Sequence, residues 1–340
     1  MTVRLKDIAS DLNLSKMTIS KVLRGQTDVS AETKARVLQR MRELNYRPNI
    51  SARSLRTGNS FSIGLVIPTI ADLFFAEVAK GLVQTVRAAG YGLLISSSEE
   101  DPEIERKEIE LQLSRQVDAL IVASVQESSE FFTALGPQKA PLILIDRKLP
   151  SFTTHFVGVR DQDIGYVAAD HLIQMGCRRI AYLRGPRTVA GDLRYSGYLE
   201  ALHQAKIPFR PGLVVEAGDT DRPEYQRGHE AVLRLLAKGG RPDAMMCYSD
   251  LLAIGVIDGA LESNLRVPED IAVVGCGNQP ASWEMRVPLS SVDLAGREVG
   301  QRTAKLVLRA LSGDGLAANR NLMLSPRMVV RRSSQRQGKA

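Results

Sequence analysis

Apolar residues along this chain keep two different rhythms. Near the start, Leu5, Ile8, Ala9 and Leu12 recur at i, i+3, i+4 and i+7, which predicts one face of a short helix. Asn13-Leu14 suits a tight turn, and Ser15 is placed to cap a second helix, its hydroxyl accepting from an otherwise unpaired backbone N–H. That second helix is expected to turn Ile19, Val22 and Leu23 inward, leaving Lys16, Met17, Ser20, Lys21 and Arg24 as an outward polar stripe. Ser30 then caps a third helix whose apolar side is Val37, Leu38, Met41 and Leu44. From residue 61 the rhythm changes. The continuous apolar runs SIGLVIP, GLLISSS, DALIVAS and PLILID alternate with amphipathic segments 74–89, 102–116 and 126–136. After a crossing near HFVGV the alternation restarts with helix 162–175, RIAYLRG, helix 190–205, LVVEAG, helix 223–238, DAMMCYS, helix 250–263 and IAVVGC. Continuous apolar strands alternating with helices predict parallel sheets covered on both faces. Two such series predict two Rossmann-like lobes, with ligand in a cleft at the carboxyl ends of the strands.

Between these regions lies NYRPNISARSLRTGNS. Pro48 stops the third helix, Asn49 can cap another, and only about two turns fit before Thr57-Gly58-Asn59-Ser60. So short a helix is marginal alone and is expected to order on binding. Its Leu55 has little core to join and suits an apolar wedge for a minor groove.

Charge sharpens the picture. Residues 1–60 carry 12 Lys and Arg against 5 Asp and Glu, so they hold the whole net charge of +7 and leave the remainder balanced. A basic module on a neutral body is the footprint of a nucleic-acid contact. Two short helices joined by a tight turn, the second bearing a basic stripe, describe a helix-turn-helix. No run approaches a membrane span and no apolar segment precedes a cleavage site, which predicts a protein that stays in the cytoplasm. Cys177, Cys247 and Cys276 sit in apolar runs without C-x-x-C spacing, as expected of reduced core thiols.

On DIASDLNLSKMTISKVLRG, VSAETKARVLQRMRELNYRPN and ISARSLRTG, the chain resembles the LacI/GalR (Lac repressor) family of bacterial transcription regulators. The resemblance implies a helix-turn-helix domain (1–47), a hinge helix and linker (48–60), and a periplasmic-binding-protein-like body (61–340) that binds an effector and dimerises. It implies base contacts from Lys16, Met17 and Lys21, backbone contacts from Thr18, Ser20, Ser30, Thr33, Tyr46 and Asn49, and a minor-groove hinge at Ala52 and Leu55. Many members carry Arg where this chain has Lys21, so operator preference does not transfer: an ammonium lacks the bidentate fork.

The resemblance further implies effector contacts from Phe74, Phe75, Asp146, Arg147, Arg194, Ser249, Asp250 and Asn278. The two Phe suit core and cleft equally, and either Asp suits a helix or loop cap. Gly275-Cys276-Gly277-Asn278 stands where many members have Gly-Tyr-Asp-Asp, so a carboxylate that commonly accepts from ligand hydroxyls or amines is missing. Arg147, Arg184, Arg187 and Arg194 lie at or beyond strand ends, which favours an anionic effector, a sugar acid or phosphorylated metabolite, over a neutral sugar. The expected partners are therefore double-stranded operator DNA as a near-palindrome, a small-molecule effector (sugar, sugar acid or phosphorylated metabolite) and a second copy of the chain, with no cofactor, metal or membrane. The tail RRSSQRQGKA has no apolar heptads, so no helical tetramerisation tail is expected. A soluble ligand receptor and an α/β enzyme are the competing classes. Residues 1–60 and the lack of an export signal oppose the first. Against the second, the sequence holds no phosphate-loop, nucleophile-elbow or H-E-x-x-H motif, and His155, His171, His203 and His229 lack paired metal spacing.

Overall fold

Three helices account for the start of the chain: α1 (Leu5–Asp11), α2 (Lys16–Leu23) and α3 (Ala31–Glu43). The turn between α1 and α2 closes because Asn13 takes a left-handed φ of 54° and the Leu14 N–H donates to the Ala9 carbonyl at 2.9 Å. Asn tolerates that conformation better than most side chains. Ser15 accepts from the Thr18 N–H at 3.0 Å and Ser30 from the Thr33 N–H at 3.2 Å, so both expected caps form. Ile8, Ala9, Ile19, Val22, Val37 and Met41 make the core. Arg40 ties α3 to α1 through Asp11 at 2.7 Å. Two expected core residues stay out: Leu23 and Leu38 are 37% and 39% exposed. Residues 19 and 22 centre the buried seam of α2 between them, and at 100° per residue Leu23 falls to one side; Leu38 likewise lies off the seam that Val37 and Met41 define.

This computed structural model describes residues 3–23, 28–46, 54, 57–149, 151–185, 188–218, 222–313 and 320–336, and the chain divides into the units Met1–Ser60 and Phe61–Ala340. Asn49, Ala52, Leu55, Arg24 and Arg187 lie outside the described residues.

The second unit holds two six-stranded sheets. The first contains β1 (Ser62–Ile67), β2 (Gly92–Ser97), β3 (Ala119–Val122), β4 (Leu142–Ile145), β5 (His155–Val159) and β11 (Asn321–Leu324). The second contains β6 (Ile180–Arg184), β7 (Val214–Glu216), β8 (Ala244–Cys247), β9 (Ala272–Cys276), β10 (Ser290–Asp293) and β12 (Arg327–Val329). Their orders are β11-β5-β4-β3-β1-β2 and β12-β10-β9-β8-β6-β7. Every pairing is parallel except that of β10 with β12. Strands such as β3 and β9 are buried along their whole length, which is why their sequences read as unbroken apolar runs.

The helices that matter for the site are α4 (Leu73–Ala88), α5 (Pro102–Ser114), α6 (Glu130–Ala134), α7 (Asp161–Gln174), α8 (Val189–Gln204), α9 (Glu224–Ala237), α10 (Asp250–Glu262) and α11 (Gly296–Leu311). The lobes are not two successive series, as the alternation suggested. The chain passes between sheets three times: after β5, after β10, and between β11 and β12. Thus α11, absent from the sequence reading, packs on the first lobe against α4. Helix α6 is also shorter than expected. The buried Glu105 carboxylate takes the Val125 N–H and the Ser124 hydroxyl at 2.7 Å, which holds the stretch after β3 as a loop.

Candidate functional sites

On the first unit, the outward side of α2 carries Lys16 and Met17, both exposed, Met17 by 67%. Lys21 stands on the same helix, half-buried, its ammonium paired with Asp28. The Thr18 hydroxyl shares a 2.9 Å hydrogen bond with Ser15, and the Ser30 hydroxyl donates to Thr33 at 2.9 Å. Ser20 is half-buried, as is Tyr46, whose ring rests on the helical core and whose phenol is pushed up by loss of water. A rigid helix thus presents two long basic side chains and a thioether to the outside, the arrangement by which a recognition helix meets the base edges of a major groove.

On the second unit, a cleft of about 510 Å³ opens where strands of the first sheet end and α8 of the second lobe begins. Most polar wall residues follow a strand of the first sheet: Glu100 after β2, Ser124, Gln126 and Glu127 after β3, Asp146, Arg147 and Lys148 after β4, and Asp161 after β5, while Thr188 caps α8. Phe156, Val159, Val189, Leu193 and Met323 supply apolar wall. The arrangement is the one expected of ligand sites in open parallel sheets.

The charged groups are already interlocked. Arg194 is 8% exposed; its Nε donates to Asp161 at 2.9 Å and its guanidinium lies 4.6 Å over the Tyr248 ring. It reaches Asp161 because α7 and α8 touch through glycines. A Cβ on Gly165 would stand 1.8 Å from the Arg194 carbonyl oxygen, and one on Gly197 would stand 1.9 Å from that of Gln162. Burial opposes the Arg194 charge, yet Tyr248, Asp161 and Asp146 outweigh it and hold the guanidinium more firmly protonated than usual. Asp146, at a left-handed φ of 63°, has its carboxyl pushed up to about 6, first by burial and then by the Asp161 charge, against the opposing pull of Arg147 and Arg194. Both Arg147 terminal nitrogens donate to Glu100, each at 3.0 Å.

The other expected effector residues are turned to structural work. Phe75 is core, and Phe74 packs edge-on against it at 5.2 Å. Ser249 caps α10 and donates to Glu224 at 2.5 Å. Asp250 is fully buried and accepts from Gln279 N–H, Ser282 and Ser291 at 2.7, 2.8 and 2.5 Å. Asn278 receives a hydrogen bond from Arg331 at 2.6 Å. None of these five lines the cleft. Arg184 pairs with Asp192 at 2.6 Å and stacks on Tyr195, so of the four guanidiniums expected to grip an anion Arg147 is the one on the described wall. Glu100, Ser124, Gln126 and Asp161 were not foreseen. Asp161 left a signal, an acidic residue directly after the HFVGV strand at a helix start; the others sit on loops whose approach depends on tertiary packing.

Among the described residues, no helix is long and apolar enough to cross a membrane.

A helix-turn-helix unit and a two-lobed body with a ligand-sized cleft define a transcription regulator responsive to small molecules, and comparison with known proteins agrees. The family model of the bacterial regulatory proteins of the lacI family matches residues 4–49, and that of the periplasmic binding protein-like domain matches residues 169–334. Over 333 residues the chain is 28% identical to the HTH-type transcriptional repressor PurR of Haemophilus influenzae (strain PittEE), covering 97% of this chain and 98% of that protein. It is similar to the Lac repressor dimer bound to operator and the anti-inducer ONPF, with 25% identity, a TM-score of 0.84, and 98% and 99% of the two chains covered. The complex of the transcriptional regulator CelR with cellobiose is similar at 26% identity and a TM-score of 0.71, covering 97% and 99%. The first unit carries the lacI-family helix-turn-helix, and the role of the chain is regulation of transcription, not catalysis.

Proposed function

We propose that this protein is a cytoplasmic repressor that binds a near-palindromic operator on the nucleoid as a dimer and is controlled by a small molecule held between its lobes. Residues 1–47 serve as the DNA-binding domain, 48–60 as hinge and linker, and 61–340 as the effector-binding and dimerisation body. Lys16, Met17 and Lys21 read bases; Thr18, Ser20, Ser30, Thr33, Tyr46 and Asn49 hold the phosphate backbone; Ala52 and Leu55 enter the minor groove. The observation that carries the effector role is the interlobe cleft with Asp146, Arg147 and Asp161 on its wall and Arg194 locked behind them.

That wall favours a neutral, hydroxyl-rich effector over an anion. Among the described residues it carries Glu100, Glu127, Asp146 and Asp161 against Arg147 and Lys148. A carboxylate or phosphate entering it meets more acid than base and would have to break the Arg147–Glu100 fork, whereas ligand hydroxyls can donate to the carboxylates without moving them. The likeness to a cellobiose-bound regulator supports the same reading. Calorimetric titration of the full chain against panels of neutral sugars, sugar acids and sugar phosphates tests it. Tight binding by neutral members, with release or tightening of operator DNA, supports the reading; binding confined to acids and phosphates reverses it.

A further inference from the structure

Lys21 does not project alone. Its ammonium forms an ion pair with Asp28, which lies beyond the C-terminal end of α2, two residues before the cap of α3. The two side chains remain 35% and 51% exposed, so the pair is held at the surface and not in the core. A carboxylate here is costly for general DNA affinity, because it faces phosphates and cancels the lysine charge that would attract them. What it supplies is a hydrogen-bond acceptor beside a donor. In the position that the structure shows, the Lys21 donor and the Asp28 acceptor stand side by side, as adjacent groups on one base-pair edge would require.

Resting on the reading of α2 as the base-reading helix, we propose that Lys21 and Asp28 act as one unit that reads a single G·C pair, which makes Asp28 a further specificity-determining residue. Guanine presents two adjacent acceptors, N7 and O6, and its partner cytosine presents the N4 amino donor next to them. An ammonium spanning N7 and O6, with a carboxylate accepting from N4, matches that edge atom for atom. On an A·T pair the N6 donor stands between the N7 and O4 acceptors and the thymine methyl follows. The ammonium then meets a donor, and the carboxylate faces O4 and a methyl group. On non-specific DNA the carboxylate has no cytosine amino group in register beside the lysine and repels the backbone. Asp28 thus weakens binding everywhere except at the right pair.

The test uses the full chain and its Asp28→Asn and Lys21→Ala variants in selections from randomised duplexes, followed by titration of the selected operator and of a copy with one G·C pair per half-site changed to A·T. Wild type is expected to select a fixed G·C pair and to discriminate against the changed copy by about tenfold or more. Asp28→Asn is expected to lose most of that discrimination at this pair alone and to bind random-sequence DNA more tightly. If Lys21→Ala relaxes the motif while Asp28→Asn keeps both motif and discrimination, the pairing is wrong and the reading of α2 stands. If neither variant alters the motif, Lys21 does not read a base and the proposal falls, whatever Lys16 and Met17 do.

Discussion

Arg194 is expected to serve both stability and recognition. Its side chain and that of its partner Asp161 are 10% and 15% exposed, so removing either leaves the other charge largely shielded from water and without its hydrogen-bonded partner. Arg194→Ala is expected to destabilise the body by about 3 kcal/mol and to weaken effector binding at least tenfold, as chemical denaturation and calorimetry would measure. Asp146 is expected to make effector binding pH-sensitive. Its carboxyl titrates at about 6 against an ordinary value of 3.8, so between those values the folded chain holds a proton that the unfolded chain has released. Acidification from pH 7 towards 4 therefore adds stability through this group. For an effector whose hydroxyl donates to the Asp146 carboxylate, affinity is expected to fall as pH drops through about 6. Melting temperatures at pH 7 and 5, and calorimetry over the same range, should show both trends in the wild type, with the stabilisation reduced and the fall in affinity lost in Asp146→Asn.

At the scale of elements, helix pairs in close contact set the distances in the cleft. The α7–α8 pair brings Asp161 and Arg194 together only because Gly165 and Gly197 let the two backbones meet. Gly165→Ala puts a methyl 1.8 Å from a backbone carbonyl, which side-chain motion cannot relieve. The helices must part. The expected result is a loss of about 2 kcal/mol or more, as for overpacked cores, with weaker effector binding and an intact headpiece. Helical content retained alongside unchanged effector affinity would show that the helices do not position the site. The loop after β3 is a second such device. Glu105→Ala would leave the Val125 N–H and the Ser124 hydroxyl without their buried acceptor. A cost of about 1–3 kcal/mol follows from the lost hydrogen bonds, with lowered effector affinity because Ser124 and Gln126 line the cleft. Urea denaturation and calorimetry check the two halves.

For the whole molecule, one three-helix unit offers few base contacts, so useful operator affinity requires two of them in register on one duplex face. Sedimentation of the full chain at micromolar concentration is expected to give a dimer, and selected operators are expected to be near-palindromes with half-sites about one helical turn apart, centre to centre. A monomer that protects a single half-site would overturn this.

Much of this was legible in the residues themselves. Ser15, Asn13 and Ser30 act through backbone groups a few positions away, so the headpiece helices and their caps could be read locally; so could the parallel sheets, because strands buried on both faces must be apolar throughout. The charge confined to residues 1–60 needed only counting. Tertiary structure alone decided the membership of the cleft. Asp250 and Asn278 stand at strand ends, as site residues do, yet Asp250 is consumed by Ser282, Ser291 and Gln279, and Asn278 by Arg331. Arg184 went to Asp192 and Arg147 to Glu100, while Asp161 came to Arg194 across 33 residues through a glycine contact. A charged side chain takes whichever partner the packing brings within reach, and that distance is a property of the assembled lobes, not of any spacing along the chain.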